Sequence, residues 1–353
     1  MKKILISFGC RPEIIKFCSV IGGLKAYPIK TVIVNTGQQT HLSDSFIKQF
    51  HITPDYQLEV DRSNPSLNIL VAQIASGVGA IIEKETPDLV LIQGDTTTAM
   101  ASALAAFNLG VPVGHVEAGL RTYDKTNPFP EEINRQLISR MASYHFCPTE
   151  GNRQNLVKES TNSKVFVTGN PGIDVVKSIK PSIQKKNYRQ VLMTVHRRET
   201  IQSDMLREYL WEMSMFLEEN SDIVCKFITH PNTMLNDLHL VKNLRPLDPL
   251  PYDEFIQECY NSDVICSDSG GVAEEATIIK TPLIILRKTT ESGEALCWPM
   301  VRLVSSKLGL YNELTTFFSG SKPTLTDKRL LKKEFGNGDS GKKIAKIISQ
   351  ILK

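Results

Sequence analysis

Short, nearly all-apolar runs rich in Ile, Val and Leu alternate with longer stretches of helical spacing, and the alternation passes through the chain twice. The first set of runs lies at 3–8, 31–36, 89–94, 111–116 and 164–169, with helical patterns at 12–26, 42–50, 66–85, 96–108, 132–143 and 150–158. A strand buried on both faces of a parallel sheet reads as a continuous apolar run rather than an alternating one. Repeated strand–helix units of this kind imply an open, doubly wound parallel sheet. The pattern restarts with runs at 191–196, 223–230, 263–268, 282–287 and 301–306, and helical patterns near 202–219, 252–260, 271–279 and 341–352. Between the two sets the Gly/Pro-rich stretch at Asn170–Gly172 marks a crossover. The expected fold class is therefore α/β with two Rossmann-like domains, 1–171 and 172–339, the amphipathic end at 340–353 packing back on the first.

Length and composition agree and remove several function classes. At about 150 residues per domain, 353 residues make two domains, and 41% apolar with 22% charged residues is ordinary globular composition. Forty-one Lys and Arg against 38 Asp and Glu leave a net charge of +3, too little for a nucleic-acid partner held by bulk charge. No apolar run approaches the roughly 18 residues of a membrane span, and the start, MKKILISFGCRPE, reads as a first strand rather than a signal peptide. Seven cysteines, an odd number without a C-x-x-C pair, fit a reducing, cytoplasmic compartment. Cys147, Cys225 and Cys266 sit in apolar runs and read as buried thiols, with Cys10 and Cys18 as the exceptions.

Ligands of such sheets bind beyond the carboxyl ends of the strands, so the residues that follow each run carry the functional signal. After the first run come Gly9, Cys10, Arg11, Pro12 and Glu13, with Lys16 one turn on. Gly9 allows a tight turn, Pro12 suits the start of a helix, and Arg11 and Lys16 add charge to an anion-attracting N-terminus. The same residues also make an ordinary capped helix start. The G-x-G-x-x-G fingerprint of a nicotinamide site is absent. Asp95 follows the third run, Glu117 the fourth, and Glu131 opens the helix after Asn127-Pro128-Phe129-Pro130. Each alone is open to a capping or helix-dipole reading. His115-x-Glu117 suggests a metal pair only weakly, because no third ligand is near in sequence. Three carboxylates at one sheet edge repel, so one of them is expected to hold its proton, which equips the edge for proton transfers on two faces of a substrate.

In the second half His196, Arg197 and Arg198 follow the first run, a set suited to phosphate or a charged leaving group. His230 is a weaker case of the same kind. Ser269-Gly270-Gly271 leads into a helix whose first N–H groups suit phosphate oxygens, and Glu275 lies one turn in, placed to accept a ribose diol.

Taken in order, GCRPEIIK, QGDTTTAMA, HVEAGLRT, FPEEINR, VHRRET, ITHPN, CSDSGGVAEEA and the closing GNGDSGKKI resemble the non-hydrolysing bacterial UDP-N-acetylglucosamine 2-epimerase family over essentially the whole chain. The resemblance implies a GT-B fold with the nucleotide sugar in an interdomain cleft. It implies epimerisation at C2 by elimination of UDP to an enzyme-held 2-acetamidoglucal, then re-addition with C2 protonated from the other face. On this sequence Asp95, Glu117 and Glu131 match the family's acid/base residues and His196 its leaving-group histidine. Arg11, Lys16, Arg135 and Arg197 match phosphate or nucleotide contacts; Ser269, Gly270, Gly271 and Glu275 match the UDP site, with Phe255 a uracil neighbour. It implies no cofactor and no metal, a UDP-sugar partner and a homodimer.

Two departures stand out. Cys10 replaces the family's Thr, and Ser292 stands where the family carries an arginine on nucleotide phosphate, which leaves the exact sugar open. Gln38, Arg62 and His230 persist from the family's activator site, here a degenerate one that also includes His41, while its other positions differ, so weakened or absent substrate activation is expected. A hydrolysing epimerase, a variant epimerase of specialised metabolism, a glycosyltransferase of the same fold and a non-catalytic UDP-sugar sensor are the competing readings.

Overall fold

The computed structural model describes the chain apart from residues 62, 161, 197, 202–203, 230–240, 288–295, 297, 305–306 and 321–334, and apart from the side chains of 40–42, 198 and 199. In chain order the first elements are β1 (Lys2–Phe8), α1 (Arg11–Leu24), β2 (Ile29–Asn35), α2 (Thr40–Gln49), β3 (Tyr56–Gln57), α3 (Leu67–Glu85), β4 (Leu89–Gln93) and α4 (Thr97–Asn108). Then come β5 (Val113–Val116), α5 (Glu131–Met141), β6 (Tyr144–Cys147), α6 (Glu150–Lys158), β7 (Lys164–Val167) and α7 (Pro171–Ser178). The second set is β8 (Arg189–Thr194), α8 (Arg198–Ile201), α9 (Met205–Glu219), β9 (Ile223–Ile228), β10 (Leu244–Leu247), α10 (Tyr252–Tyr260), β11 (Val264–Ser267) and α11 (Gly270–Ile279). It ends with β12 (Leu283–Ile285), β13 (Val301–Leu303), α12 (Gly309–Phe318) and α13 (Ser340–Ile351).

The chain divides into two compact units, Met1–Val175 with Lys332–Lys353, and Val176–Leu331. The division falls a few residues past the Asn170–Gly172 crossover read from the sequence, within α7. The first turn of α7 is tied to the first unit by Asp174, whose carboxylate accepts the Ser340 and Gly341 N–H groups at 3.0 and 2.8 Å and the Ser19 hydroxyl. Asp174 thereby caps α13 and seats it on α1. There Gly23 and Gly341 let the backbones touch: a Cβ on Gly23 would lie 2.7 Å from the Gly341 carbonyl oxygen.

Every strand pair is parallel. The first sheet has the order β3-β2-β1-β4-β5-β6-β7 and the second β10-β9-β8-β11-β12-β13. Both follow the doubly wound plan, in which the strand order reverses beside the first strand. The central strands are sealed on both faces: all five residues of β4 and all four of β11 are buried, which is why they read as unbroken apolar runs.

Three strands escape the sequence reading. Tyr144–Cys147 carries two ring-bearing polar residues in four, Tyr56–Gln57 has two residues, and Leu244–Leu247 contains Pro246, a residue that sheets confine to their edges. The helices at Pro171–Ser178 and Gly309–Phe318 escape it as well.

Two packing details set the frame of the first unit. Helix α4 is built on alanines, with Ala99, Ala101, Ala103, Ala105 and Ala106 buried, so it lies close enough for Ser102 to meet Ser7 of β1 at 2.8 Å. Helix α3 has 19 residues, and an 18-residue window of it has a mean hydropathy of 1.3, so by length and composition alone it is long and apolar enough to cross a membrane and comes nearer to a span than the sequence reading allowed. Its Leu70, Ile74, Val78, Ile81 and Ile82 stripe packs into the first unit's core. In the second unit the buried Glu212 of α9 accepts the Leu308 and Tyr311 N–H groups at 3.0 and 3.1 Å and so anchors the start of α12.

Candidate active site

In each sheet the two loops that leave the reversal point diverge, and this is where open α/β sheets hold ligands. In the first unit these are the β1–α1 and β4–α4 turns, joined by the β5 end. Gly9 is obligatory in the first: a Cβ there would collide with the Thr36 and Thr98 side chains. Arg11 opens α1 with its guanidinium 5.6 Å from the Phe46 ring centre.

Glu117 follows β5 with φ +66°, a left-handed conformation that costs a non-glycine residue about 1 kcal/mol or more. Its carboxylate is held on both oxygens. Lys16 of α1 pairs with Oε1, Gln93 donates to Oε2, and Asn170 donates to Oε1 at 3.3 Å. Only 11% of the side chain stays exposed. Asp95 is held by Arg135 of α5, whose Nε lies 3.0 Å from Oδ2 and whose Nη2 shares the same oxygen. Asp95 keeps 27% of its side-chain surface, so one edge remains open. Arg135 is in turn backed by Glu132, fully buried, at 3.1 Å. Glu132 also accepts the Thr122 and Tyr123 N–H groups at 2.9 and 3.1 Å, which fixes the loop before α5. Glu131, half-buried, is the first residue of that helix.

The three carboxylates therefore do not face one another bare: a cation is set against Asp95 and another against Glu117. A fourth carboxyl group lies close by. Glu13 is wholly buried, and burial lifts its pKa to about 7 against the pull of its hydrogen bonds from Gly9, Thr96 and Cys10. His115 and Glu117 do not act as a pair. His115 is buried in β5 with Nε2 2.8 Å from the Gly94 carbonyl oxygen, and burial holds its pKa well below the usual histidine range. Among the described residues no three His, Cys, Asp or Glu side chains are grouped to hold a metal ion.

In the second unit His196 follows β8 and Asp268 follows β11, on either side of the reversal point. Asp268 is fully buried, and its Oδ1 accepts both the His196 backbone N–H at 3.1 Å and Nδ1 at 3.0 Å. That contact places the proton on Nδ1 and fixes the ring, whose side chain keeps 36% of its surface exposed. Ser269 caps α11 through its hydroxyl, which accepts from Val272 N at 3.4 Å. Gly270 and Gly271 form the first turn, where N–H groups have no partner within the helix. Glu275 lies one turn on, and Tyr252 of α10 donates to its Oε1 at 2.6 Å. Phe255, half-buried, is on the same helix as Tyr252.

The remaining expected residues divide in two. Gln38 accepts from Thr98 N and Oγ1 at 2.9 and 2.8 Å, so it ties down the start of α4. Arg62, Arg197, His230 and Ser292 lie outside the described residues, as does the side chain of His41 at the start of α2.

Comparison with known proteins decides the family. The UDP-N-acetylglucosamine 2-epimerase family model matches residues 24–349. The chain belongs to the UDP-N-acetylglucosamine 2-epimerase family. An Escherichia coli O157:H7 UDP-N-acetylglucosamine 2-epimerase is 34% identical over 97% of both chains, and that of Escherichia coli K12 is 36% identical over 89% of both. The Neisseria meningitidis UDP-GlcNAc 2-epimerase, solved bound to UDP-GlcNAc, superposes with a TM-score of 0.90 at 32% identity, covering 99% of this chain and 100% of its own. The Methanocaldococcus jannaschii family member, solved with UDP-GlcNAc and UDP, gives 0.86 at 32% identity with the same coverage. A spinosyn rhamnosyltransferase, 11% identical with a TM-score of 0.56 over 100% of this chain and 97% of its own, shares the fold alone. The fold is thus the GT-B-like α/β arrangement of the family and of such glycosyltransferases.

The sequence reading missed the partners rather than the principals. Gln93 and Asn170 on Glu117, Glu132 behind Arg135, Asp268 on His196 and Tyr252 on Glu275 are all distant in sequence or read as cap residues. Asp268 alone had a usable signal, a carboxylate between two serines at a buried strand end.

Proposed function

We propose that the protein interconverts UDP-N-acetylglucosamine and UDP-N-acetylmannosamine without releasing the sugar. The observation that carries this reading is the set of carboxylates at the first sheet's reversal point, Asp95 and Glu117, each set against a cation and each keeping some exposed surface. An elimination at C1–C2 breaks the C1–O bond to UDP and moves the C2 proton to a base, leaving a 2-acetamidoglucal. Re-addition reforms the C1–O bond while an acid protonates C2 on the opposite face. Asp95, Glu117 and Glu131 are the groups for these proton transfers. Lys16, Arg11 and Arg135 bring positive charge for the departing diphosphate. In the second unit His196, held as a donor by Asp268, serves the leaving oxygen. The first turn of α11 and Glu275 serve the nucleotide. The balance involves no net oxidation, so the residues carry the reaction without a redox cofactor.

The test is turnover of UDP-GlcNAc in deuterated water followed by NMR. Deuterium at C2 of both UDP-sugar epimers supports the reading. Free UDP with N-acetylmannosamine converts it to the hydrolysing reaction, and tight UDP binding without exchange refutes an epimerase. A hyperbolic rate curve supports the absence of substrate activation, whereas a steeply sigmoidal one contradicts it.

A homodimer and a reducing, cytoplasmic compartment belong to the same proposal. Leu67 and Ile69 of α3, Phe107 of α4 and Leu137 of α5 are exposed on neighbouring helices, a surface that a second copy would cover. The odd cysteine count without a C-x-x-C pair is what supports the compartment. Sedimentation at micromolar concentration tests the dimer, and a monomer there rejects it.

A further inference from the structure

We propose that Glu13 is a positioning residue, whose buried carboxylate ties the β1–α1 turn to the β4–α4 turn so that Arg11 and Asp95 are presented from one fixed rim. The inference rests on the proposed epimerase reading for what that rim does, and on contacts of this chain for the tie itself. Oε2 accepts the N–H groups of Gly9 and Cys10 at 2.8 and 2.7 Å. Oε1 accepts the Thr96 hydroxyl at 2.8 Å, 83 residues away in sequence. Thr96 Oγ1 itself accepts from Ala99 N at 3.0 Å, so the tie continues into the first turn of α4.

A capping box accounts for part of this and no more. The box has two reciprocal contacts, and of these the carboxylate makes one, accepting the N-cap N–H of Cys10. Here the carboxylate also holds Gly9 outside the helix and a threonine from another loop. A capping glutamate ordinarily faces water, whereas Glu13 is fully buried. The charged neighbour acting on it is Asp95, from the β4–α4 turn, and it opposes ionisation of Glu13. On its own turn the ionisable residues are Arg11, at the start of α1, and the buried Cys10 thiol, while Thr36, Gln38 and Thr98 beside Gly9 are neutral.

Retaining a carboxylate here disfavours the fold at neutral pH. The folded-state pKa of about 7 stands above the ordinary 4.5, so the stabilising contribution is complete below pH 4.5 and lost as pH rises through 7. A glutamine would occupy the same space without that loss. When ionised, above pH 7, the group makes three charge-assisted bonds that fix two loops, and these bonds, not folding stability, are what a carboxyl group supplies here.

Glu13→Gln and Thr96→Val, each in the full-length protein, test this. In Glu13→Gln, kcat for UDP-GlcNAc is expected to fall by about tenfold or more, with KM little changed. Its thermal midpoint at pH 8 should equal or exceed that of the unmodified protein, and that advantage should shrink at pH 5. In Thr96→Val, amide exchange of Gly9 and Cys10 is expected to quicken by about tenfold, although the change lies on the other loop. Confinement of that effect to the first turn of α4 would overturn the proposal. So would unchanged kcat in Glu13→Gln, or a loss of kcat that only follows a lowered midpoint at pH 8. If the unmodified protein leaves UDP-GlcNAc unchanged while the exchange and midpoint results appear as expected, the epimerase reading fails and the tie stands.

Discussion

The two units share one strand plan and use its reversal point differently. In the first, the loops beside β1 and β4 carry carboxylates that meet cations from other elements: Asp95 with Arg135 and Glu117 with Lys16. In the second, the loops beside β8 and β11 carry a buried Asp268 under His196 and a helix start made of Ser269, Gly270 and Gly271. The plan fixes where polar groups emerge. What emerges there decides whether the edge handles protons or receives an anion. The first unit invests in charge pairs and a strained backbone at Glu117; the second sets a helix terminus, whose N–H groups suit an anion, beside the buried Asp268.

The contrast breaks most sharply at Glu117. Glu117→Gln keeps the hydrogen-bonding shape and removes the proton acceptor, so turnover is expected to drop by about 10³-fold while calorimetric UDP affinity stays near that of the unmodified protein. Equal loss of both would mean that the first unit holds the nucleotide as well. Asp268→Asn comes next. It leaves the His196 backbone N–H without its anionic acceptor and removes the preference for Nδ1–H, so kcat is expected to fall by about 10²-fold. An unchanged kcat would show that His196 needs no orienting group.

Acid titration separates the units by stability. His115 and His145 are buried side by side on β5 and β6, with ring centres 5.9 Å apart, and burial holds His145 at about 4 and His115 well below 6.5. Their depressed values mean that the unfolded chain takes up protons first, so stability is lost as pH falls below about 6.5. Glu13 acts in the opposite sense between 7 and 4.5. By pH 5 His145 costs about 2 kcal/mol and Glu13 returns about the same, so the net change is a loss carried by His115. Amide exchange should therefore quicken in the first unit before the second as pH drops, and earlier still in Glu13→Gln. The smallest effect compares two helix caps. Ser269→Ala and Thr96→Ala should each cost about 1 kcal/mol, but only the serine variant should also weaken UDP binding, by a few-fold.

Most of the fold was legible because buried parallel strands are written as apolar runs with Gly or a polar residue at their ends. The runs 3–8, 89–94 and 263–268 lie within a residue or two of observed strands. Tyr144–Cys147 was not, since a four-residue run interrupted by a histidine is too short to stand out as a strand. Only its neighbours make it a strand, with His145 opposite His115 in the parallel register. The candidate site was legible in its principals and illegible in its partners. Asp95, Glu117 and His196 stand at strand ends, where a short polar signal follows an apolar one. Gln93, Glu132 and Asn170 sit at positions whose composition also fits turns and helix starts.

The sequence by itself determined the strand–helix alternation, its restart, the turn glycine at position 9 and the chemical types that emerge at each strand end. Apolar periodicity and backbone permissiveness are local properties, and they are readable residue by residue. Only the tertiary structure decided which charges meet. It set Lys16 on Glu117 across 101 residues, joined Glu13 to Thr96 across 83 and placed Asp268 under His196 across 72. Those contacts follow from strand order and from burial, which strips water from a carboxylate and leaves it only the partners that the fold brings within reach.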